Sequence, residues 1–240
     1  MHAIILAGGR GSRLGRHTAK VPKSLLRLGY QSILEVMILR LRACGFTRVT
    51  LCISHLGDQI RDEFGDGARF GITIDYSWDR APLGTAAPLR HVPDWEAPAL
   101  VMNGDILTSL DFGALIDAHL RHGGLMTVAT HRRLMPVDFG VVDFADDLRV
   151  LGIREKPRLP VDIDAGIHVL DPDIKEHLAR EQVMDMPELL TALLDQGHEV
   201  WAYPFAESWH DIGTPESLAA AVQDFNRETS RYLPARVNHA

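Results

Sequence analysis

Residues 3–14 read Ala-Ile-Ile-Leu-Ala-Gly-Gly-Arg-Gly-Ser-Arg-Leu, an apolar segment that runs directly into a glycine-rich loop. The apolar part predicts a short buried strand over residues 3–7. Glycine lets backbone N–H groups approach phosphate oxygens closely, and the arginines neutralise phosphate charge. This segment therefore predicts a strand followed by a loop that binds a polyphosphate.

The positive charge of the chain is concentrated around this loop. Residues 1–34 contain no acidic residue, whereas the full chain of 240 residues has a formal net charge of −7. The basic residues in this segment are Arg10, Arg13, Arg16, Lys20, Lys23 and Arg27. A local positive field in an acidic protein steers an anionic ligand to one place. The alternative is a solvated basic arm on nucleic acid, but the adjoining strand does not favour it and we expect no nucleic-acid partner.

The spacing of the glycines excludes two common phosphate-binding loops. Gly9-x-Gly11-x-x-Leu14 lacks the third glycine of the dinucleotide-binding fingerprint. The chain also has no Gly-Lys-Ser/Thr sequence of the kind that a Walker A loop requires.

Size and composition indicate an ordinary globular protein. The chain is 46 % hydrophobic and 24 % charged, and its length suits one large α/β domain. It has neither a run of about 18 apolar residues nor the pattern of a signal peptide at its start. With two isolated cysteines, neither a disulfide framework nor a zinc site is indicated. We expect a cytoplasmic protein that has no membrane partner.

Short apolar strands alternate with helical patterns along the first half. Strands are predicted at residues 3–7, 49–53, 72–76, 99–102 and 126–130, and helices at 33–43, 56–64, 84–91 and around Ile116. This alternation predicts an α/β fold with a three-layer, doubly wound, mostly parallel and Rossmann-like mixed sheet. Residues 139–144 and 149–153 predict an antiparallel hairpin, which indicates a small antiparallel lobe in the second half.

Two aspartates follow predicted strands. Asp105 comes directly after the strand at residues 99–102, and Asp211 comes shortly after a strand at residues 200–205. Ligands of such sheets lie outside the carboxyl ends of the strands, where the glycine loop also lies. Two carboxylates facing a cationic phosphate loop suit Mg²⁺, which prefers oxygen ligands. The alternative is that both aspartates cap helices or turn the chain.

A second charged motif is Glu155-Lys156-Pro157. A carboxylate can accept hydrogen bonds from sugar hydroxyls, and an adjacent ammonium group can bind phosphate. The pair therefore suits the binding of a phosphosugar. A solvated turn before proline explains the same residues equally well.

These motifs together resemble the sugar-phosphate nucleotidylyltransferase family, and the resemblance covers nearly the whole chain. The family's signature loop and its Pro-Lys motif are matched by residues 8–14 and by Pro22-Lys23. Further matches follow in the family's order: Leu83-Gly-Thr-Ala86, Asn103-Gly-Asp105, Phe139-Gly140, Glu155-Lys-Pro157, Asp164-Ala-Gly166 and Trp209-His-Asp-Ile-Gly213. The set is most similar to mannose-1-phosphate and heptose-1-phosphate guanylyltransferases. The resemblance implies transfer of a nucleoside monophosphate from an NTP to a sugar 1-phosphate, with Mg²⁺ and release of pyrophosphate.

The resemblance also implies roles for individual residues. The catalytic residues would be Arg13, Lys23, Asp105 and Asp211, and the two aspartates would bind Mg²⁺. The nucleotide would contact Leu6, Ala7, Gly8, Gly9, Gly11, Asp79, Gly84 and Thr85. The sugar phosphate would contact Gly140, Glu155, Lys156, Asp164 and Gly166. One domain over residues 1–226 is implied, with a nucleotide-binding half at about 1–132, a sugar-binding half at about 133–226 and a polar tail at 227–240.

The identity of the substrates depends on two departures from the family. Asp79 lies five positions before Gly84, where uridylyl- and thymidylyltransferases tend to have Gln, and its carboxylate could accept both N1–H and N2–H of guanine. Asp164 replaces the family's usual Asn and cannot donate a hydrogen bond when ionised. Asp79 therefore favours GTP, although it is otherwise only a loop residue, and Asp164 puts the family's familiar hexose preference in question. The similarity to mannose-1-phosphate and heptose-1-phosphate guanylyltransferases implies a mannose- or heptose-type sugar. The alternatives are a uridylyl-, thymidylyl- or cytidylyltransferase, or a non-catalytic regulatory subunit that binds nucleotide sugars. A homo-oligomer is compatible with the sequence.

Overall fold

The computed structural model describes residues 1–79, 81, 83–93, 95–178 and 183–233. Its strands are β1 (His2–Leu6), β2 (Arg48–Ile53), β3 (Thr73–Trp78), β4 (Ala99–Asn103), β5 (Ile106–Thr108), β6 (Met126–Pro136), β7 (Val141–Phe144), β8 (Val150–Arg154), β9 (Arg158–Leu170), β10 (Val200–Phe205) and β11 (Trp209–Asp211). Its helices are α1 (Ile33–Ala43), α2 (Gly57–Phe64), α3 (Phe112–His122), α4 (Met186–Asp195), α5 (Pro215–Arg227) and α6 (Thr229–Tyr232).

A central sheet has the strand order β10-β6-β9-β4-β1-β2-β3. The strands pair in parallel except at β9, which is antiparallel to both of its neighbours, β4 and β6. The predicted α/β class and the mostly parallel mixed sheet are confirmed.

Alternate residues of β1 pack on opposite faces of the sheet. Ala3 and Ile5 belong to one buried cluster together with the apolar side of α1. Ile4 belongs to a second cluster, which includes Leu189 of α4. Because side chains alternate along a strand, one sheet separates two apolar layers, as a three-layer fold requires.

Local sequence signals explain where the helices begin and end. The Ser32 hydroxyl accepts a hydrogen bond from the Glu35 N–H at 3.2 Å, which caps α1. Gly45, with φ +85°, follows the end of that helix in the left-handed region that glycine tolerates. Thr214 and Ser217 form a capping box at the start of α5.

Two small sheets complete the fold. β5 pairs with β11, and β7 pairs with β8 as the predicted antiparallel hairpin. β6 is longer than the strand predicted over residues 126–130. The inner halves of β6 and β9 belong to the central sheet, and their pairing continues outward as far as Pro136 and Arg158. The outer half of β6 is mostly exposed and has no apolar alternation, whereas Leu159, Val161 and Ile163 of β9 alternate with polar residues or proline. The predicted division at residue 132 falls within β6, and it stays a prediction.

Two further expectations differ in detail from the structure. The helix predicted over residues 84–91 is a 3₁₀ helix over Ala87–His91, preceded by Gly84 with φ +86°. The polar tail predicted from residue 227 first forms α6, where Tyr232 is fully buried. Residues 234–240 of that tail lie outside the described residues. No helix in the described ranges has the length and apolar character needed to span a membrane.

Candidate active site at the carboxyl edge of the sheet

The glycine loop lies between the carboxyl ends of three parallel strands. In the sheet register, Leu6 at the end of β1 is opposite Cys52 of β2 and Asn103 of β4. A cavity of about 690 Å³ opens at this edge. Seven of the predicted site residues line it: Leu6, Gly8, Gly9, Asp79, Gly84, Thr85 and Asp105. The cavity is also lined by residues for which no role was predicted, including Arg10, Ser54, His55, Trp78 and Asn103.

The backbone of the loop is anchored from two sides. The Ser54 hydroxyl donates a hydrogen bond to the Gly8 carbonyl oxygen at 2.7 Å, and the Thr18 hydroxyl donates one to that of Gly11 at 2.8 Å. Gly11 has φ +61°, and a Cβ there would lie 2.9 Å from Thr18 and 3.3 Å from the Lys23 Cβ. This close packing holds the loop against the segment that carries Lys23.

A two-stranded sheet brings the predicted metal-binding aspartates together. Asp211 of β11 is opposite Ile106 of β5, and the Ile212 N–H donates to the Asp105 carbonyl oxygen at 3.0 Å. Asp105 precedes β5 directly, so the pairing places the two carboxylates side by side. Gly104 allows this arrangement, since a Cβ there would lie 3.0 Å from the Leu6 carbonyl oxygen.

Cations surround these carboxylates. Lys23 Nζ forms an ion pair with Asp105 Oδ2, and the Arg13 guanidinium lies beside Gly213, next to the Asp211 carboxylate. Burial and the neighbouring Asp105 charge raise the pKa of Asp211, while Lys23, Arg13 and Arg133 act in the opposite direction. The four predicted catalytic residues are therefore in one place.

The two aspartates suit a cation whose remaining ligands come from elsewhere. Asp105 Oδ1 is buried and has no hydrogen-bond partner in the described part of the chain, which leaves one carboxylate oxygen available. Among the described residues there is no group of three or more metal-ligating side chains. A hard cation such as Mg²⁺, which keeps waters and takes phosphate oxygens, fits two carboxylates of this kind.

The predicted base-binding residues form the opposite wall of the cavity. Asp79 is buried, and its Oδ1 lies 3.1 Å from His91 Nδ1. Burial raises the pKa of Asp79, although the hydrogen bond with His91 acts to lower it. A Cβ on Gly84 would lie 2.5 Å from the Met184 carbonyl oxygen, so this wall packs on the segment before α4.

The loop after Gly84 depends on a residue that the sequence did not reveal. The Asp185 Oδ1 accepts hydrogen bonds from both the Thr85 N–H at 2.9 Å and the Thr85 hydroxyl at 3.2 Å. The Thr85 hydroxyl also accepts one from the Met186 N–H at 2.7 Å. The N–H and the hydroxyl of Thr85 are therefore both used in hydrogen bonds to the start of α4.

The predicted sugar residues form two groups. Asp164 and Gly166 lie close to the cavity, since a Cβ on Gly166 would be 2.6 Å from Asn103 Nδ2. Gly140 and Glu155 adjoin each other on the hairpin side, where a Cβ on Gly140 would be 3.1 Å from Glu155 Oε2. Glu155 and Lys156 are exposed. Neither is among the described residues that line the cavity.

Both carboxylate oxygens of Asp164 have protein partners. Oδ1 accepts a hydrogen bond from the Gly166 N–H at 2.7 Å, and Oδ2 lies 3.0 Å from Nε2 of the buried His168. Burial acts to raise the pKa of Asp164, but the hydrogen bonds from His168 and Gly166 outweigh it and the pKa is lowered. Asp164 is therefore an ionised hydrogen-bond acceptor, and its contacts with Gly166 and His168 fix its orientation.

The sequence as a whole matches the family model for nucleotidyl transferases over residues 2–228. The chain belongs to the nucleotidyl transferase family. This confirms the resemblance on which the predicted residues depend, because the match spans the glycine loop, both aspartates and the hairpin.

Curated relatives of this nucleotidyl transferase have names from one group of reactions. It is 31 % identical to "Mannose-1-phosphate guanylyltransferase" of Mycobacterium tuberculosis over 94 % of this chain and 64 % of the relative. It is 29 % identical to "UTP--glucose-1-phosphate uridylyltransferase" of Synechocystis over 93 % of this chain and 63 % of the relative. The chain thus spans less than two thirds of the length of either relative.

Solved structures confirm the fold of the family. A putative glucose-1-phosphate thymidylyltransferase from Bacillus anthracis superposes with a TM-score of 0.76 at 24 % identity, over 93 % of this chain and 94 % of that one. HddC from Yersinia pseudotuberculosis, complexed with GMP-PN, superposes with a TM-score of 0.72 at 24 % identity, over 93 % and 99 % of the two chains.

Proposed function

We propose that this nucleotidyl transferase moves a nucleoside monophosphate from an NTP to a sugar 1-phosphate and releases pyrophosphate. The observation that carries the proposal is the meeting of Lys23, Asp105 and Asp211 beside a glycine loop, where Asp105 and the loop glycines line one cavity. The names of the curated relatives support the same reaction class.

The chemistry needs positioning and charge neutralisation rather than a protein nucleophile. The phosphate of the sugar is already an anionic nucleophile, so its oxygen can attack the α-phosphorus while the bond to the pyrophosphate oxygen breaks. Holding the two reactants in line converts a bimolecular step into an effectively unimolecular one. In this proposal the backbone of Gly8, Gly9 and Gly11 positions the nucleotide phosphates.

Fixed cations provide the electrostatic part of the mechanism. Lys23 is held by Asp105 at the reacting phosphate, and Arg13 faces the departing pyrophosphate. Preorganised charges of this kind stabilise a transition state strongly because they need no rearrangement during the reaction. Asp105 and Asp211 would hold Mg²⁺, and the ion would supply positive charge against the charge that develops on the phosphate oxygens.

GTP is the proposed donor. Among the described residues that line the cavity, Asp79 is the buried carboxylate, and guanine presents two adjacent N–H groups to such an acceptor, whereas uracil presents one. The guanylyltransferase names among the curated relatives agree with this assignment. A uridylyl-, thymidylyl- or cytidylyltransferase is the alternative, which the uridylyltransferase relative favours.

The acceptor proposed is a mannose- or heptose-type sugar 1-phosphate. Asp164 and Gly166 would contact the sugar next to the cavity, while Gly140, Glu155 and Lys156 would contact it from the hairpin side. Because Asp164 accepts hydrogen bonds only, it suits a sugar that presents a hydroxyl donor at this position.

One experiment tests both substrates. GTP, UTP, dTTP and CTP are each combined with mannose, glucose and heptose 1-phosphates, and pyrophosphate release is measured with Mg²⁺ present. We expect the highest turnover in the GTP row, with mannose or heptose 1-phosphate. Highest turnover in another row would overturn the choice of base, and binding without turnover in every combination would favour a regulatory subunit.

We also propose that the chain self-associates through the hairpin of β7 and β8. One face of the hairpin carries the Asp143–Arg154 ion pair, while Val142, Phe144 and Ile153 are exposed on the other. Ten apolar side chains from Leu134 to Val161 expose 43–77 % of their surface. Clustered exposed apolar side chains of this kind mark protein–protein interaction sites.

A second copy is the proposed occupant because identical apolar faces are self-complementary about a two-fold axis. Light scattering after gel filtration should give a dimer for the wild type and a monomer for Ile153→Glu. Arg154→Gln on the polar face should remain dimeric. A monomeric wild type would contradict this proposal.

A further inference from the structure

Arg133 is a cation at the candidate active site that the family's motifs do not include. It lies on β6, and its guanidinium carbon is 5.4 Å from the centre of the Trp209 ring. Trp209 belongs to β11, two residues before Asp211. Because side chains alternate along a strand, Trp209 and Asp211 lie on the same side of β11.

The same alternation applies to β6. His131 and Arg133 are two residues apart on this strand, and the His131 ring stacks on Trp209 with its centre 5.6 Å away. Both side chains therefore face β11. Arg132, between them, points to the opposite face, where it forms a two-point ion pair with Asp162 at 2.8 and 2.9 Å.

Trp209 itself is held in place. Its indole N–H donates to the Ala165 carbonyl oxygen at 2.9 Å, within the segment that also contains Asp164 and Gly166. The ring thus joins the strand of the catalytic Asp211 to the predicted sugar loop. A guanidinium stacked on this ring is oriented without the use of its N–H donors, which remain available for a ligand.

Arg133 makes no salt bridge with any other residue in the described ranges, although it is near the Asp211 carboxylate and acts on its pKa. Its neighbour Arg132 is fully paired. An exposed, oriented and unpaired guanidinium beside a metal-binding carboxylate suits a phosphate, because its planar fork matches two phosphate oxygens.

We propose that Arg133 binds the phosphate of the acceptor sugar 1-phosphate and thereby positions it for attack. This inference rests on the proposed function. Arg133 approaches from the β6 and β9 ribbon, which carries the predicted sugar residues Asp164 and Gly166, whereas Arg13 and Lys23 approach from the glycine loop. The two phosphate-bearing substrates would thus be bound by cations from two different halves of the chain.

The test compares Arg133→Gln with Arg132→Gln, which removes the same charge one residue away on the opposite face. We expect Arg133→Gln to raise the KM for the sugar 1-phosphate about 10-fold or more, the loss of a charged hydrogen bond. Its KM for the NTP should stay within about 2-fold. Arg132→Gln should leave both constants near the wild-type values, and Arg133→Lys should restore part of the loss because it retains the charge.

Thermal unfolding and direct binding separate this role from a purely structural one. A structural role at Trp209 would lower the Tm and raise both KM values together, and that result would overturn the inference. Calorimetric binding of mannose 1-phosphate keeps the test independent of turnover. If the wild type binds it but has no activity, the proposed function fails, and weaker binding by Arg133→Gln than by Arg132→Gln still supports the inference. Equal binding by the two variants, or none by the wild type, would overturn it.

Discussion

The glycine-loop edge and the outer ribbon of β6 and β9 carry the two halves of the candidate site in different ways. At the edge, parallel pairing, close glycine contacts and the Lys23–Asp105 ion pair hold each group. On the ribbon side, Glu155 and Lys156 are exposed at the end of a two-stranded hairpin. Under the proposed function, phosphate chemistry is built into the core, while the choice of sugar is made on a surface that can vary without disturbing the core.

The largest effect is expected at the edge. Lys23→Met and Asp211→Asn should each lower turnover by about 10²–10³-fold, since the first removes a fixed cation that stabilises the transition state and the second removes a carboxylate that would hold Mg²⁺. Pyrophosphate release measures the effect, and circular dichroism should show a folded chain. Arg27→Met is the matched control, because Arg27 lies in the same basic segment but pairs with Glu63 at 3.2 Å on the surface. Equal losses in the control would contradict the distinction between catalytic and surface cations.

The next effect tests whether the base wall needs glycine. Gly84→Ala should cost about 2–3 kcal/mol of stability, because its φ of +86° and the Met184 carbonyl oxygen, 2.5 Å from a Cβ, both oppose a side chain. Gly9→Ala is the control: a Cβ there meets nothing within 4 Å and its φ is not positive. It should unfold like the wild type and alter only NTP binding. Urea unfolding distinguishes the two, and similar stabilities would refute the packing argument.

A third prediction concerns the support behind β11. Tyr232 hydrogen-bonds to Asp224, and His210 Nε2 lies 3.0 Å from the same carboxylate. The Tyr232 hydrogen bond, with those from His210 and Arg227, lowers the pKa of Asp224 to about 2. Because the pKa of Asp224 is lower in the folded state than in the unfolded state, the ionised carboxylate stabilises the fold at pH values above the unfolded pKa. This stabilisation is lost as the pH falls toward 2.

Asp224→Asn should therefore lower the free energy of unfolding at pH 7 by on the order of 2 kcal/mol. The difference in the free energy of unfolding between the variant and the wild type should become smaller as the pH falls from about 4 toward 2. Denaturant unfolding of both proteins across this range measures it. A gap that does not change with pH would show that the carboxylate charge is not the cause. Turnover of Asp224→Asn measures how strongly the glycine-loop edge depends on the Asp224 contacts behind β11.

The smallest effect is expected at the hairpin of β7 and β8. Lys156→Met should raise the KM for the sugar 1-phosphate about 10-fold, leave the KM for the NTP unchanged and leave stability within about 0.5 kcal/mol, since the side chain is exposed. Arg149→Met, an exposed change in the same hairpin, is the control. A loss of stability comparable with that of Gly84→Ala would contradict the proposed independence of the two regions.

Much of the fold could be predicted because it depends on local signals. The apolar strands alternate with helices whose caps, Ser32 and Thr214, are legible in the sequence. The outer half of β6 was missed because His131, Arg132 and Arg133 there follow no apolar period. α6 was missed because its stability depends on Tyr232, which is buried only through long-range packing.

The candidate site divides in the same way. The motifs by themselves determined the family and predicted the phosphate loop and the roles of Arg13, Lys23, Asp105 and Asp211, because these residue types at these spacings carry chemistry that few other patterns share. Asp185 behind Thr85, Ser54 on the Gly8 carbonyl and Arg133 over Trp209 could not be found in this way, since each lies tens of residues from its partner. Only the tertiary structure decided those contacts, because strand order and register, rather than neighbouring residues, bring the groups together.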